Sequence, residues 1–108
     1  MNLITKVSQI TWQNAQDYLR IPEVSAAEQQ TLTNLIGVAS TFIQQYTGLT
    51  AAQVDDHQDF VIVALILVQD MWDNRVLYVD KSNLNKVVET ILGMHVTNLL
   101  PTPELDNA

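Results

Sequence analysis

The chain contains no cysteine, and it has only three glycines and three prolines in 108 residues. Without cysteine, neither a disulfide framework nor a thiolate zinc site can form. The glycines also do not follow the spacing G-x-x-x-x-G-K or G-x-G-x-x-G of loops that bind nucleotide phosphates. The absence of cysteine excludes disulfide frameworks and thiolate zinc sites, and the glycine spacing gives no support for nucleotide binding.

Positive charge is scarce as well. The chain has five Lys and Arg residues and 12 Asp and Glu residues, so its formal net charge is −7. The stretch from Ile21 to Asn74 has no Lys or Arg. Because sequence-independent DNA binding depends on Lys and Arg that neutralise phosphates, we do not expect this chain to hold DNA. Acidity of this size is also typical of a protein that is simply soluble.

Long apolar runs are missing too. The longest, Phe60 to Val68, is too short to span a bilayer, and the first ten residues lack the apolar run of a signal peptide. We therefore expect synthesis in the cytoplasm and no membrane partner. The length and a hydrophobic content of 47% predict one domain, residues 1–100. Residues 101–108, with two prolines and small polar side chains, are predicted to form a flexible tail.

Thr11 predicts the N-cap of a first helix over residues 12–20. Pro22 ends this helix, because the residue before a proline disfavours the helical conformation. Ser25-Ala-Ala-Glu28 is typical of a capping box, and a long second helix follows it as far as Gly48. The face of this helix opposite its apolar stripe is polar but almost uncharged. It is either solvated or a contact between subunits, since depletion of charge marks interfaces. This face contains Gln29, Gln30, Thr33, Asn34, Ser40, Thr41, Gln44 and Gln45.

After a loop over residues 49–54, acids at 55–59 predict the start of a third helix, where they favour the helix dipole. The apolar run continues to Trp72 without a turn residue, so we predict a helix that is buried nearly all round. Such a helix needs partners on every side. It is either the centre of a monomeric bundle or a reason for the chain to form oligomers.

Residues 75–82 (RVLYVDKS) follow no clear helical period and predict an extended arm, and a fourth helix is expected over residues 83–94. The predicted fold class is therefore all-α, a small bundle of about four helices with an extended arm between helices 3 and 4. We expect Trp12 and Trp72 to lie in the core and Tyr78, in the arm, to lie at an interface.

Residues 55–59 hold the densest group of potential metal ligands, with Asp55 and Asp59 placed to share a helix face. A catalytic zinc normally needs three protein ligands with nitrogen or sulfur among them, and a calcium loop needs a glycine-centred twelve-residue spacing that is missing here. We interpret these residues as helix-start acids and predict no metal and no cofactor. His95 is expected to bond the last carbonyls of the fourth helix. No catalytic residues are predicted, and the chain is not expected to be an enzyme.

Several segments, taken in order, resemble the head-tail connector (adaptor) family of long-tailed phages, the small helical proteins beneath the portal. Their order and spacing along the chain carry the resemblance. The segments are Ile10-Thr11 with Ala15 and Tyr18-Leu19-Arg20-Ile21, Leu35-Ile36 with Ala39 and Tyr46-Thr47-Gly48-Leu49, Met71-Trp72-Asp73-Asn74-Arg75, and Lys86-Val87-Val88 through Ile91-Leu92-Gly93-Met94 to Asn98-Leu99-Leu100.

The resemblance implies a structural virion protein of the head-tail junction, made in the bacterial host. Its partners would be further copies of itself in a ring, commonly of about twelve subunits, the portal, and a tail-completion or stopper protein. DNA would pass through the ring without specific binding. We expect the channel to be lined or flanked by Asp55, Asp56 and Asp59, which would repel phosphate.

The arm and the tail carry apolar groups or flexibility without an obvious place in a monomer. We therefore expect them to contact neighbouring subunits or the portal. The candidate residues are Val76, Leu77, Tyr78, Val79, Lys81, Val96, Leu99 and Leu100. The alternative to a connector is a small acidic protein-binding module, an inhibitor or DNA mimic, which requires the acids to be concentrated on one exposed face.

Overall fold

The computed structural model describes residues 4–96, which are all-α and contain no strand. Its helices are α1 (Trp12–Leu19), α2 (Ala26–Thr47), α3 (Ala51–Asp55), α4 (Asp59–Asn74) and α5 (Lys86–Met94). Two short 3₁₀ turns, Val7–Gln9 and Lys81–Asn83, precede α1 and α5. The all-α prediction is confirmed, with one more helix than the sequence predicts. Within the described range, no helix combines the length and hydropathy that a membrane crossing requires.

Side-chain caps fix where the first two helices begin. Thr11 accepts a hydrogen bond from the backbone N–H of Asn14, and Asn14 accepts one from Thr11 in return. Ser25 and Glu28 form the same reciprocal pair at the start of α2. Each pair satisfies two backbone amides that have no partner inside the helix. Both N-caps agree with the sequence prediction.

Left-handed residues end three of the helices. Gly48 follows α2 with φ of 78°, a conformation that glycine adopts without a Cβ clash, as the sequence predicts. Arg20 after α1 and Arg75 after α4 adopt the same region, with φ of 59° and 56°. The following residues, Ile21 and Val76, donate to carbonyls five positions earlier and so complete the turn. The chain therefore turns sharply after each of these three helices.

The core forms chiefly between α2 and α4, with α1 and α5 packed against the pair. Its largest fully buried side chains include Phe60, Leu32, Leu35, Ile43 and Leu67. Thr47 is the buried polar residue of this core within the described range, and its hydroxyl donates to the Ile43 carbonyl at 2.7 Å. One continuous core thus joins all the long helices.

The segment between α2 and α4 differs from the sequence prediction. Residues 49–54 were expected to be a loop, but Ala51–Asp55 form α3, and α4 begins only at Asp59. Thr50 and Gln53 make a third capping box, which nucleates the short helix. Asp55 ends one helix and Asp59 begins the next, so the two acids do not share a helix face.

The burial of α4 is close to the prediction but incomplete. Phe60, Val63, Ala64 and Val68 are fully buried, whereas Ile62 is 49% exposed. Helices α1, α2 and α5 cover most of its circumference within one chain. The apolar character of α4 therefore does not itself require a second subunit, although Ile62 leaves some apolar surface exposed on this helix.

The connection from α4 to α5 has no regular strand. It contains the 3₁₀ turn Lys81–Asn83, in which the Asp80 carboxylate accepts from the Ser82 N–H at 3.2 Å. The last helix starts at Lys86, a few residues after the predicted start at 83. Leu99, Leu100 and the predicted tail 101–108 lie outside the described residues.

Candidate functional site

The arm, residues 75–82, is anchored at two points and exposed between them. Val76 and Val79 are partly buried and pack against the core. Leu77 is 65% exposed and Tyr78 is 62% exposed. The expectation that all four apolar residues lack a place in the monomer is therefore wrong for Val76 and Val79, because the sharp turn at Arg75 returns the chain to the core. Leu77 and Tyr78 remain on the surface.

A groove of about 660 Å³ lies between the arm and α2. One wall is formed by α2, with polar residues such as Thr41 beside the apolar Val38 and Phe42, and the other wall includes Leu77 and Tyr78. No charged residue lines it. The fold thus brings together the uncharged face of the second helix and the exposed part of the arm, and we call this feature the uncharged groove.

Gly37 lies on the α2 wall of the uncharged groove. The position is exposed, and a Cβ built on it has no heavy atom within 4 Å. A side chain at this position would therefore enter open space without disturbing the core. This makes Gly37 a position where the groove can be filled while the helix is kept.

A second apolar surface lies on α5. Val88 and Leu92 are fully buried in the core. Val87 is 50% exposed, Met94 is 68% exposed, and Ile91 is partly exposed. Positions 87, 91 and 94 fall on one helix face, because residues three and four apart are neighbours. We call this face the outer stripe of α5. Val96, just beyond it, is exposed too.

The three predicted channel acids have different environments. Asp56 is exposed between α3 and α4. Asp55 accepts hydrogen bonds from the hydroxyl and the backbone N–H of Ser8, and chiefly the hydroxyl lowers the pKa of the Asp55 carboxyl. Asp59 contacts His95 at 2.8 Å. The acids are near one another in sequence, but only Asp56 is free to act through its charge alone. Lys81, the predicted cationic contact, is exposed in its 3₁₀ turn.

The imidazole of His95 contacts a carboxylate instead of the helix carbonyls. Its Nε2 lies 2.8 Å from Oδ2 of Asp59, while its backbone N–H donates to the Leu92 carbonyl. The expectation that its imidazole bonds the last carbonyls of the fourth helix is wrong, because packing of α5 on α4 brings the ring to the start of α4.

His57 completes a cluster with these two residues. One nitrogen or carboxylate oxygen each from His57, Asp59 and His95 lies within 4.8 Å of those of the others. All three side chains are partly buried. Phe60, fully buried, meets both imidazoles edge to face, with centroid distances of 5.5 Å to His57 and 4.7 Å to His95. The sequence did not indicate this group, because His95 is 36 residues from Asp59.

No family model, no curated protein and no solved structure matches this chain. Its function is therefore inferred from its own surfaces, the uncharged groove and the outer stripe of α5 foremost.

Proposed function

We propose that the chain is a structural subunit of a phage head-tail junction that assembles into a ring, docks on the portal and lets DNA pass. The uncharged groove carries this proposal. It joins a polar face without charge to the exposed apolar residues Leu77 and Tyr78. Depletion of charge together with aromatic and aliphatic side chains is the composition of a protein interface. The residue segments that resemble the connector family supply the biological setting.

The occupant we propose for the groove is a second copy of the chain. The outer stripe of α5, Val87, Ile91 and Met94, is an apolar helix face of the kind that lies in a groove. Groove and stripe consist of different residues, so a contact between them is heterologous. Heterologous contacts repeat from subunit to subunit and close into a ring when the rotation allows it.

The distribution of the acids favours this role over an acidic inhibitor or DNA mimic. A mimic needs carboxylates concentrated on one exposed face. The described acids instead occur on every one of the five helices and on the arm. Several accept hydrogen bonds within the chain: Asp55 from Ser8, Glu28 from Ser25 and Asp80 from Ser82.

The test is a pair of substitutions at Gly37. Gly37→Arg places a long charged side chain in the uncharged groove, whereas Gly37→Ala adds one methyl group and leaves the groove open. Both variants place a good helix former at an exposed position of α2. Light scattering after size exclusion, with and without the cognate portal, measures assembly.

We expect Gly37→Ala to assemble like the wild type. We expect Gly37→Arg to remain monomeric and not to form a ring on the portal. Circular dichroism should give the same helical content for both variants. If Gly37→Arg assembles as well as Gly37→Ala, the groove is not the subunit interface and the proposal loses its main support.

A further inference from the structure

We propose that His57, Asp59 and His95 of a single chain form a binding site for one transition-metal ion such as zinc. The three ligand atoms, two imidazole nitrogens and one carboxylate oxygen, lie within 4.8 Å of one another. Three protein ligands with a fourth position left to solvent is the composition of an open zinc site. This inference is independent of the ring and goes beyond it.

The donor set selects the kind of ion. Imidazole nitrogen suits zinc, nickel and copper, whereas magnesium and calcium prefer sites made of oxygen alone. Tetrahedral ligands about 2.1 Å from zinc are about 3.5 Å from one another, so movements of about an ångström would close the site. Nε2 of His95 and Oδ2 of Asp59, now hydrogen-bonded at 2.8 Å, would move slightly apart around the ion, and His57 would approach them.

The surroundings of the cluster hold the two imidazoles in place. The rings of His57 and His95 lie 4.4 Å apart between centroids, tilted by 50°. Phe60 contacts the edge or face of both rings and is itself fully buried. A buried aromatic side chain restricts the orientations of the rings and thereby reduces the entropy lost when they bind an ion.

The local charges also suit a cation. Asp59 supplies a formal negative charge, and His95 caps the C-terminal end of α5, where the helix dipole favours positive charge. The N-terminal end of α4 opposes a cation, and the Asp59 carboxylate in its first turn offsets that effect. Because the three side chains are only partly buried, an ion can reach them from solvent.

A bound ion would join three separate segments: the α3–α4 connection at His57, the start of α4 at Asp59 and the end of α5 at His95. A ligand that binds only the folded state raises stability in proportion to the logarithm of its concentration above its Kd. Zinc should therefore stabilise the attachment of α5 to the bundle, and the melting temperature should rise with zinc concentration.

The experiment is calorimetric titration of the full chain, free of any histidine tag, with zinc chloride, and with magnesium chloride as the comparison. His57→Gln is the main variant, because it removes one ligand and leaves the His95–Asp59 contact intact. Asp59→Asn removes a second ligand. Asp56→Asn is the matched control, since Asp56 is a neighbouring exposed acid outside the cluster. Circular dichroism checks that each variant is folded.

We expect one zinc ion per chain, a higher melting temperature with zinc and no effect of magnesium. Loss of a residue that only supports a metal ligand costs roughly 10–100-fold in metal affinity. His57→Gln and Asp59→Asn each remove a direct ligand, so each should lower the zinc affinity by at least roughly a hundredfold. Asp56→Asn should bind as the wild type does. Zinc binding that is absent from the wild type, undiminished in His57→Gln, or equal to one ion per two chains would overturn the proposal. If the wild type binds no zinc, the cluster is only a hydrogen-bonded contact between α4 and α5.

Discussion

Ser8 and Asp55 form two hydrogen bonds across 47 residues of sequence. The Ser8 hydroxyl donates to Oδ2 at 2.6 Å, and its backbone N–H donates to Oδ1 at 3.1 Å. The pair ties the 3₁₀ turn Val7–Gln9 to the end of α3. Because both bonds favour the ionised carboxylate, the pKa of Asp55 is lowered. The position of the N-terminal turn therefore depends on the charge of Asp55, one of the predicted channel acids.

Ser8→Ala should destabilise the fold in a way that depends on pH. Removing the hydroxyl donor should cost about 1 kcal/mol of unfolding free energy at pH 7. The native pKa of Asp55 lies below its unfolded value of about 3.9, so this stabilisation is complete above that pH. It is lost as the pH falls through the lowered native pKa.

Urea unfolding of both proteins at pH 7 and at pH 3 would measure this. The difference between them should shrink at the lower pH. Ser82→Ala, which removes an exposed hydroxyl in the other 3₁₀ turn, serves as the control. An equal difference at both values would show that the Asp55 charge does not contribute.

Gly37→Ala should stabilise the chain by about 1 kcal/mol, the difference in helix propensity between the two residues. The position is inside α2, exposed, and free of neighbouring atoms within 4 Å of an added Cβ. Denaturant unfolding of the monomer at low concentration measures the gain. A loss of stability would mean that the groove wall at Gly37 is already filled.

Asp56→Lys should slow DNA ejection or retain DNA in assembled particles. Asp56 is exposed, and its hypothesised role is to repel phosphate in the channel. Asp17→Lys makes the same charge change on the exposed surface of α1 and is the control. Ejection kinetics that are equal for Asp56→Lys and the wild type would argue against acids at Asp55, Asp56 and Asp59 facing the channel.

A chain truncated after Val96 should keep its helical bundle and lose the ability to join heads to tails. The described core, from Val7 to Leu92, ends before the cut, so circular dichroism and the melting temperature should change little. The yield of joined particles in an assembly assay measures the loss. Full joining by the truncated chain would remove Leu99 and Leu100 from the predicted contacts.

The sequence predicts the long helices well because their signals are local. Ser25 and Glu28, three positions apart, mark the start of α2, and Gly48 marks its end. The same kind of signal, Thr50-Ala-Ala-Gln53, marks α3, which the prediction missed. A helix of five residues is too short to show an apolar period, so the capping box was the only available indication.

The candidate sites depend on tertiary packing and were harder to predict. Val76, Leu77, Tyr78 and Val79 are all apolar, and nothing local in the sequence tells which pair faces the core. That division follows from the left-handed turn at Arg75 and the position of α2. The approach of His95 to Asp59 likewise follows from the packing of α5 on α4, across 36 residues.

Ring formation is tested most directly by imaging the full-length wild-type chain with its cognate portal by negative-stain electron microscopy, with light scattering to give the mass. We expect closed rings of this chain seated coaxially on the portal, because heterologous contacts form a ring when the rotation closes. The resemblance to the connector family implies about twelve subunits per ring. A chain that stays monomeric at high concentration, and leaves the portal bare, would contradict it.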